Sequence, residues 1–315
     1  MRQSLIRAIV LASVVGLFFA TIGPSKIAAQ GKGMPLADLH FHAQQRLSPE
    51  EALHAMDRAG VRWAGNGAQG KDDLWLPFAQ AAPDRFIPFV GQGSIMAITG
   101  NTGEAGWTLK SPGIIRYLKF IEENLWSGKF RGIGELMVNN LNSRAPQVSA
   151  SRYPADSPLM VRMLGLAATY EVPLDIHMEA DPASLKELER LLPMDRKATV
   201  IWAHCGTWAD ASLATRMMAE HLNLWCELSQ RDDRQRGLKA RNLVITDSRR
   251  VLKPDWKALL EKYSDRFLVG TDNNEEISRY QGVIDFFQAT LAQLSPEAAR
   301  RIGYENAQRL FRLNP

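Results

Sequence analysis

The chain has 315 residues, of which 45% are hydrophobic and 23% charged, with a formal net charge of +4 at pH 7. Residues 1–29 hold three of the positive charges and no negative one, so the remainder is close to neutral, at about +1. This balance, without a basic stripe and interleaved aromatic residues, argues against nucleic acid as a partner. The remaining length suits one α/β barrel or two average domains. Because no linker, repeat or low-complexity run divides it, we predict a single domain over residues 30–315.

The first predicted element is an export signal over residues 1–29. Arg2 and Arg7 precede an apolar stretch at 8–23, and small residues around Ala29 offer a cleavage site. The alternative is an uncleaved membrane anchor, because the uncharged stretch after Arg7 has 18 residues, the short end of a membrane span. We expect cleavage and therefore a periplasmic or secreted protein, with a membrane as partner only if the signal is retained.

Eight predicted strands then alternate with predicted helices. The strands are apolar and nearly continuous, as parallel strands covered on both faces are, and they lie at 36–42, 62–66, 86–91, 130–137, 172–178, 199–205, 222–229 and 267–272. Helical spacing of apolar residues appears after Ser48 and at 112–126, 157–170, 183–192, 208–220, 254–263 and 276–292. This alternation predicts an α/β fold, the (β/α)8 TIM barrel, and residues 295–313 predict a short C-terminal helical extension packed on it.

Three predicted connections after strands are long, at 92–111, 139–156 and 230–253, and would shape a pocket at the strand ends. The first carries Trp107; the second carries Asn139, Asn140, Asn142, Arg144 and Arg152; the third carries Arg231, Arg234, Arg236, Lys239 and Arg241. A basic lid of this kind would favour an anionic small-molecule substrate. The alternative, which we favour, is a solvated loop whose charges are balanced by Asp232 and Asp233.

Residue types that bind divalent metals recur at the ends of the predicted strands: His40, His42, Glu135, His177, His204 and Asp272. The carboxyl ends of barrel strands lie at one face, so these side chains should meet there and hold one or two ions. Since residues two apart on a strand point to the same side, His40 and His42 both face inward. The alternative is a set of six hydrogen-bonded polar groups in the core.

The expected role of each candidate ligand follows from the chemistry of its side chain. His40 and His42 would bind a first ion, Glu135 would bridge, and His177 with His204 would bind a second ion or orient a substrate carbonyl. Asp272 is expected to be both a ligand and the group that takes a proton from a metal-activated water. A buried structural acid is the alternative reading of Glu135. Imidazole and carboxylate ligands suit Zn first, with Mn, Fe or Ni as alternatives.

Other polar and aromatic residues have plainer interpretations. His54 and His221 are expected to be structural. Asp175 is expected to lie in the layer below the candidate ligands, where it either supports them or makes a hydrogen bond in the core. Glu227 and Ser229 are placed to reach the pocket from the seventh strand. Trp208 either lines the pocket or packs.

Cys205 and Cys226 fall on neighbouring predicted strands. An exported protein can oxidise such a pair. Because bonds between adjacent parallel strands are usually strained, we expect two buried free thiols.

With these residues assembled, the chain resembles the metal-dependent amidohydrolase superfamily, in its amidohydrolase-related (amidohydrolase 2) branch, over about residues 36–313. The resemblance is carried by Asp38-Leu-His-Phe-His42, Ala203-His-Cys-Gly206, Arg266-Phe-Leu-Val-Gly-Thr-Asp272 and Glu305-Asn-Ala-Gln-Arg-Leu-Phe311. It implies that His40, His42, His177, His204 and Asp272 hold metal and activate water. Many binuclear members carry a carbamylated lysine on the fourth strand. Glu135 stands there instead, as in TatD-type nucleases and some lactonases, so no lysine carbamate is expected.

Three functions remain open at this point. The favoured one is a metal-dependent hydrolase acting on an ester, lactone, amide or similar bond. The second is a single-metal decarboxylase or lyase of the same barrel, a chemistry that the branch also contains and that needs no bridging acid. The third is a non-catalytic exported metal-binding protein, against which the complete ligand set and the presence of a base argue. The sequence determines neither the substrate nor the oligomeric state.

Overall fold

A computed structural model of the protein describes residues 34–141, 150–234, 243–273 and 277–314. The predicted export signal at 1–29 lies outside the described residues, as do Asn142, Arg144, Arg236, Lys239 and Arg241. Among the described residues, no helix is both long and apolar enough to cross a membrane.

All eight predicted strand positions are occupied, with the third strand broken at Phe89. The strands are β1 (Leu36–Asp38), β2 (Val61–Asn66), β3 (Phe86–Pro88), β4 (Val90–Gly91), β5 (Ile133–Met137), β6 (Leu174–His177), β7 (Val200–Trp202), β8 (Leu224–Glu227) and β9 (Phe267–Leu268). Two short pairs lie outside them: Ala43–Gln44 with Ala68–Gln69, and Asn139–Asn140 with Ser151–Arg152.

Strands β1 to β9 follow one another around a ring in chain order, and neighbouring strands in each of their two sheets are parallel. One sheet has the order β1-β2-β3, and a second runs β4-β5-β6-β7-β8-β9. The sheets adjoin at Phe89, and a single parallel bridge between Asp38 and Val269 links their other ends. The hydrogen-bonded ladder is therefore interrupted, while the order of strands is that of the expected TIM barrel.

Helices follow the strands as predicted. They are α1 (Pro49–Ala59), α2 (Trp75–Ala81), α3 (Gln92–Thr102), α4 (Pro112–Trp126), α5 (Pro158–Tyr170), α6 (Pro182–Leu191), α7 (Ala211–Glu220), α8 (Pro254–Lys262), α9 (Tyr280–Leu291), α10 (Pro296–Arg300) and α11 (Asn306–Phe311), with a π-helical turn at Arg301–Glu305. In α1 the Ser48 hydroxyl accepts from the Glu51 amide while the Glu51 carboxylate accepts from the Ser48 amide, and Pro49 occupies the first turn. Gly60, with φ of 73°, ends that helix.

Helix α3 corrects the expectation of a loop over 92–111. Its residues are rich in glycine and threonine and give no amphipathic stripe, so the sequence carried no helical signal. The cap comes instead from a distant residue. The Asp72 carboxylate accepts from the backbone N–H groups of Gly91, Gly93 and Ser94 at 2.9, 3.3 and 3.2 Å, which satisfies donors that a helix start leaves free.

The core has two parts. The larger one fills the space between strands and helices. The smaller one lies within the ring, where inward residues such as Trp63 and Ile201 meet Ala307 and Phe311 of α11. The Phe89 and Phe311 rings are 5.7 Å apart, and the Asn306 amide donates to the carbonyls of Ser264 and Phe267 just before and within β9. The C-terminal extension therefore closes the amino-terminal end of the barrel and leaves the opposite end for a site.

Cys205 and Cys226 form a disulfide, with Cα atoms 4.6 Å apart, so the expectation of two free thiols is wrong. That expectation treated both residues as neighbouring sheet positions. Cys226 lies in β8, opposite Trp202 in register, but Cys205 lies in a 3-10 turn after β7. Its φ of 47° turns the chain back, so the bond joins a strand to a turn and not two paired strand positions.

Candidate metal centre

Six side chains converge at the carboxyl end of the barrel, as the sequence predicted. The two histidines of the first group follow β1, Glu135 lies within β5, His177 ends β6, His204 lies in the turn after β7, and Asp272 follows β9. All are buried; the most exposed, His177, has 9% of its surface accessible. Strand ends of a parallel barrel meet at one face, which is why positions more than 200 residues apart in the chain share one cluster.

Glu135 lies at the middle of the cluster, between two sets of histidines. Its Oε2 is 3.4 Å from His40 Nε2 and 3.8 Å from His42 Nε2. Its Oε1 is 2.9 Å from His177 Nδ1 and 3.3 Å from His204 Nε2. One carboxylate thus offers a separate oxygen to each half of the cluster.

Asp272 faces the first half. Its Oδ1 is 3.5 Å from His42 Nε2 and 3.9 Å from His40 Nε2, while its Oδ2 accepts from Gln230 Nε2 at 2.5 Å. Burial opposes ionisation of Asp272. The hydrogen bond from His42 and the nearby imidazoles outweigh that effect and hold the pKa of Asp272 well below its usual value. Asp272 is therefore a carboxylate with one oxygen held and the other aimed into the cluster.

The donor set fits a divalent cation. Three overlapping groups have their ligand atoms within 4.8 Å of one another: His40 with His204 and Asp272; His40 with His42 and Glu135; and Glu135 with His177 and His204. The Nε2 atom of His40 is buried without a hydrogen-bond partner in the described structure, although it is aimed at Glu135. A buried nitrogen without such a partner, beside converging carboxylate oxygens, is what an imidazole and carboxylate site for a metal requires.

Two opposing effects act on the charges of the cluster. Burial disfavours the charged form of His40, but Glu135 and Glu227 on its two sides outweigh burial and raise the pKa of His40 well above its usual value. Burial likewise opposes the ionisation of Glu135, but His40 and the hydrogen bonds of the histidines hold the pKa of Glu135 well below its usual value. The cluster is therefore a negative site that stabilises added positive charge.

A layer of hydrogen-bond partners lies behind the candidate ligands. His42 Nδ1 lies 2.9 Å from the Gly67 carbonyl, and His40 Nδ1 lies 2.8 Å from Glu227 Oε2. His204 Nδ1 lies 2.7 Å from the Ser229 hydroxyl. Glu227 and Ser229, which the sequence placed toward the pocket, therefore support ligands from behind. Such contacts fix the tautomer and the orientation of a metal-binding imidazole.

Asp175 also lies behind the cluster, where it makes the second of the two expected interactions, a hydrogen bond in the core, with Asn66 as its partner. Asn66 Nδ2 donates to Asp175 Oδ2 at 2.6 Å, and burial raises the pKa of Asp175 well above its usual value.

Gly270 allows the cluster to close. A Cβ atom at this position would lie 2.3 Å from Glu227 Oε1 and 2.4 Å from His40 Cβ, closer than atoms can approach. The chain after β9 can run beside His40 only because residue 270 has no side chain.

The turn that carries His204 is held by Arg231. His204, Cys205 and Gly206 all have left-handed φ values, of 57°, 47° and 63°. The Arg231 guanidinium is buried and donates to the carbonyls of all three residues and to that of Ala209. Burial lowers the pKa of Arg231 to about 9, which leaves it charged at neutral pH. Arg231 is thus buried in the interior, and the prediction that placed it in a solvated basic loop is wrong for this residue.

The rest of the predicted basic loop is balanced by acids where it is described. Arg234 bonds to the Asp232 carboxylate and to the Thr271 carbonyl, and Arg250 bonds to Asp233 at 2.7 Å. These contacts agree with the interpretation of balanced charge that we favoured from the sequence.

Among the aromatic residues and remaining histidines, none described here joins the cluster. Trp107 stacks on Tyr153 with ring centroids 4.5 Å apart, and its Nε1 donates to Ser157, so it packs. His54 is exposed on α1, and His221 is half-buried before β8. Trp208, four residues after His204, is half-buried with a φ of 75°.

Three polar residues that the sequence analysis missed contact the candidate ligands directly. Gln92 Nε2 lies 3.3 Å from Glu135 Oε2, and Gln230 bonds to Asp272. The Asn273 side chain accepts from the His42 amide at 2.7 Å. Each is the residue directly after a predicted strand, and that position was the signal that could have found them.

Comparison with known proteins identifies the class. A family model described as amidohydrolase (Amidohydro_2) matches residues 121–313, more than half of the chain, so the chain belongs to this amidohydrolase family. The family is metal-dependent, and the resemblance stated from the sequence is confirmed. Among curated proteins, no sequence matches.

Several solved structures share the fold. The 2,6-dihydroxybenzoate decarboxylase from Rhizobium is 15% identical, with a TM-score of 0.53 over 90% of this chain and 100% of that chain. A dihydroxybenzoic acid decarboxylase from Polaromonas sp. JS666, with bound manganese and the inhibitor 2-nitroresorcinol, is 14% identical, with a TM-score of 0.55 over 90% and 98%. The 4-oxalomesaconate hydratase from Rhodopseudomonas palustris is 14% identical, with a TM-score of 0.54 over 84% and 80%. At such identities the likeness establishes the barrel and leaves the reaction open.

Proposed function

We propose that the protein is a metal-dependent hydrolase that acts on an ester, lactone, amide or similar bond of a small molecule. The observation that carries this proposal is the placement of Glu135, with one oxygen toward His40 and His42 and the other toward His177 and His204. A carboxylate shared in this way suits two ions, and paired ions are a recurrent arrangement in hydrolytic sites.

The residues divide into two sets in this proposal. His40, His42 and Asp272 would hold a first ion, His177 and His204 would hold a second, and Glu135 would serve both sets. Zn is the proposed metal, with Mn, Fe or Ni as alternatives, because all accept imidazole and carboxylate ligands. When bound, such ions polarise the bond to be cleaved and lower the pKa of water toward neutrality.

Asp272 is the proposed general base, and its form and surroundings support that role. It is a carboxylate with Oδ1 directed into the cluster, and the bond from Gln230 keeps the other oxygen from rotating inward. It takes a proton from the attacking water and returns it to the leaving group. His204 is proposed to orient the substrate carbonyl as well as to bind metal, because it lies between both halves of the cluster.

The test is the number of metal ions per chain, measured by elemental mass spectrometry on the purified protein after incubation with excess zinc. Two ions in the wild type and one in Glu135→Gln are expected. Glu187→Gln is the matched control, because Glu187 is also buried but bonds to Arg152 and the Ala155 amide away from the cluster. Hydrolysis would then be sought with ester, lactone, amide and phosphoester panels. One ion per chain in both the wild type and Glu135→Gln would refute the bridged arrangement.

A single-metal decarboxylase or lyase is the second candidate. One specific observation favours it: His40, His204 and Asp272 form a complete ligand group that does not include Glu135. In this case Glu135 would be structural, and Glu135→Gln would leave the metal count at one. Release of carbon dioxide from a carboxylated substrate, followed by a coupled bicarbonate assay, separates this reaction from hydrolysis.

We also propose that the chain is exported, on the basis of residues 1–29. The disulfide between Cys205 and Cys226 supports this, because such bonds persist in oxidising compartments. Amino-terminal sequencing of protein from the periplasm or medium tests the proposal, and a mature chain that still begins at Met1 would contradict cleavage.

A further inference from the structure

Glu227 contacts both halves of the cluster although it lies outside it. This residue ends β8 and is fully buried. Its Oε2 is 2.8 Å from His40 Nδ1 and 2.6 Å from the Ser229 hydroxyl, and that hydroxyl is 2.7 Å from His204 Nδ1. Glu227 Oε1 accepts from the Ser229 amide. One carboxylate is therefore linked to two histidines that are 164 residues apart in the chain.

The hydrogen bonds determine where the protons lie. A carboxylate only accepts, so His40 must carry a proton on Nδ1 and the Ser229 hydroxyl must donate its single proton to Glu227. The hydroxyl then has only lone pairs to offer His204, which favours a proton on His204 Nδ1. The opposite assignment would bring two acceptor oxygens to 2.6 Å without a proton between them. The longer contact of His204 Nε2 with Glu135 Oε1, at 3.3 Å, competes for that proton and is the contact that a cation would replace.

The consequence appears at the other side of each ring. With Nδ1 protonated, the Nε2 atoms of His40 and His204 are the ones left to bind a cation, and both are directed at Glu135, at 3.4 and 3.3 Å. A neutral donor at position 227 would permit the reverse tautomer, in which a proton on Nε2 blocks the metal.

We propose that Glu227 is a positioning residue shared by the two half-sites, acting on His40 directly and on His204 through Ser229. The proposal deepens the proposed function and rests on it, because it assigns to residues outside the cluster the control of both ligands. It predicts a graded pattern: loss of the Ser229 hydroxyl disturbs the His204 half alone, whereas loss of the Glu227 charge disturbs both halves.

Zinc affinity of metal-depleted protein, measured by competition with a chromophoric chelator, tests the pattern. In Ser229→Ala one zinc is expected to bind about 10–100-fold more weakly, with the other unchanged; in Glu227→Gln both should weaken by about that factor. Glu187→Gln, a buried glutamate that holds a backbone amide away from the cluster, should leave both affinities unchanged. Thermal unfolding of each variant establishes that it is folded. Equal zinc affinities in wild type, Ser229→Ala and Glu227→Gln would overturn the proposal.

A second measurement does not depend on metal or on the reaction. Nitrogen-15 NMR of histidine-labelled, metal-free protein reports which ring nitrogen of His204 is protonated. The Nδ1–H form is expected in the wild type, with the Nε2–H form appearing in Ser229→Ala and Glu227→Gln. A wild-type His204 with its proton on Nε2 overturns the shared control even if two zinc ions bind. If the wild type binds only one ion and His204 is still Nδ1–H, the bridged hydrolase fails and the positioning role of Glu227 stands.

Discussion

Replacement of Arg231 by methionine is the sharpest test of how the site is held. Arg231 donates to carbonyls at 204, 205, 206, 209 and 243, and its guanidinium lies 4.9 Å from the centre of the Trp256 ring. Methionine has a similar reach and no donor, so the substitution removes these bonds while filling much of the same space. Among the described residues, Arg231 is the only buried cation that is bonded to the left-handed turn carrying His204, and the substitution removes it.

The magnitude follows from the three shortest bonds, which are 2.7, 2.9 and 2.9 Å long. A buried carbonyl left without a donor costs about 1–3 kcal/mol, so three of them cost roughly 3–9 kcal/mol. Replacing a buried charge by an apolar side chain of similar volume recovers about 1–4 kcal/mol. With the middle of each range, the expected net loss is about 3–4 kcal/mol of unfolding free energy. At about 3 °C per kcal/mol, the midpoint of thermal unfolding should fall by roughly 9–12 °C.

Arg266→Met provides the matched control for Arg231→Met. Arg266 also donates to backbone carbonyls, those of His221, Leu224 and Met218, and its guanidinium lies 5.1 Å from the Tyr263 ring. It lies before β9, away from the cluster. Thermal and urea unfolding, with zinc titration of each variant, should show that both substitutions destabilise the fold but that Arg231→Met alone weakens zinc binding. A thermal midpoint of Arg231→Met within about 2 °C of the wild type, which corresponds to less than about 1 kcal/mol of unfolding free energy, would refute the reasoning. Equal zinc affinities in the two variants would refute it as well.

Three further predictions concern the site and its surroundings. Asp272→Asn should keep the fold and at least one metal but lower kcat about 10²–10⁴-fold, because the amide cannot take a proton; wild-type turnover would exclude its role as base. Replacing Cys205 and Cys226 by alanine should lower the unfolding free energy by roughly 3 kcal/mol, as expected for a loop closed across 21 residues, and reducing agent should then have no further effect on urea unfolding. Because a cation at His40 Nε2 displaces a proton whose pKa is raised, zinc affinity should fall as the pH drops below that pKa. Calorimetry in buffers of different ionisation enthalpy should detect released protons, and a zinc affinity that does not change as the pH is lowered would contradict the assignment.

The fold was largely predictable because its signals are local. Each barrel strand carries a continuous apolar run. Ser48 and Pro49 predict a helix start because the capping interactions involve only four consecutive residues. Helix α3 was not predictable, because the group that caps it, Asp72, lies about 20 residues away and its own residues have no periodic stripe. A pattern read along the chain cannot include a cap supplied from another element.

The convergence of the six candidate ligands was predictable for a similar reason, since strand ends in a barrel share one face. The residues that hold the ligands were harder to assign. The residues on both sides of Arg231 have the composition of a surface loop. Only the folded turn after β7 shows that five carbonyls surround the Arg231 guanidinium. The pairing of Cys205 with Cys226 depended likewise on the positive φ of one residue, which no propensity reveals.

The residue aligned with Gly270 in a related sequence indicates whether that relative can build the same network. Glu227 Oε1 and His40 Cβ fill the space that a side chain at position 270 would need, so that side chain and these two atoms cannot be present together. Any residue other than glycine at position 40 keeps a Cβ there, so a side chain at 270 needs both a different path of the chain after β9 and a changed residue 227. An alanine or a bulkier residue aligned with Gly270 is therefore expected only in a relative that builds this end of the barrel differently.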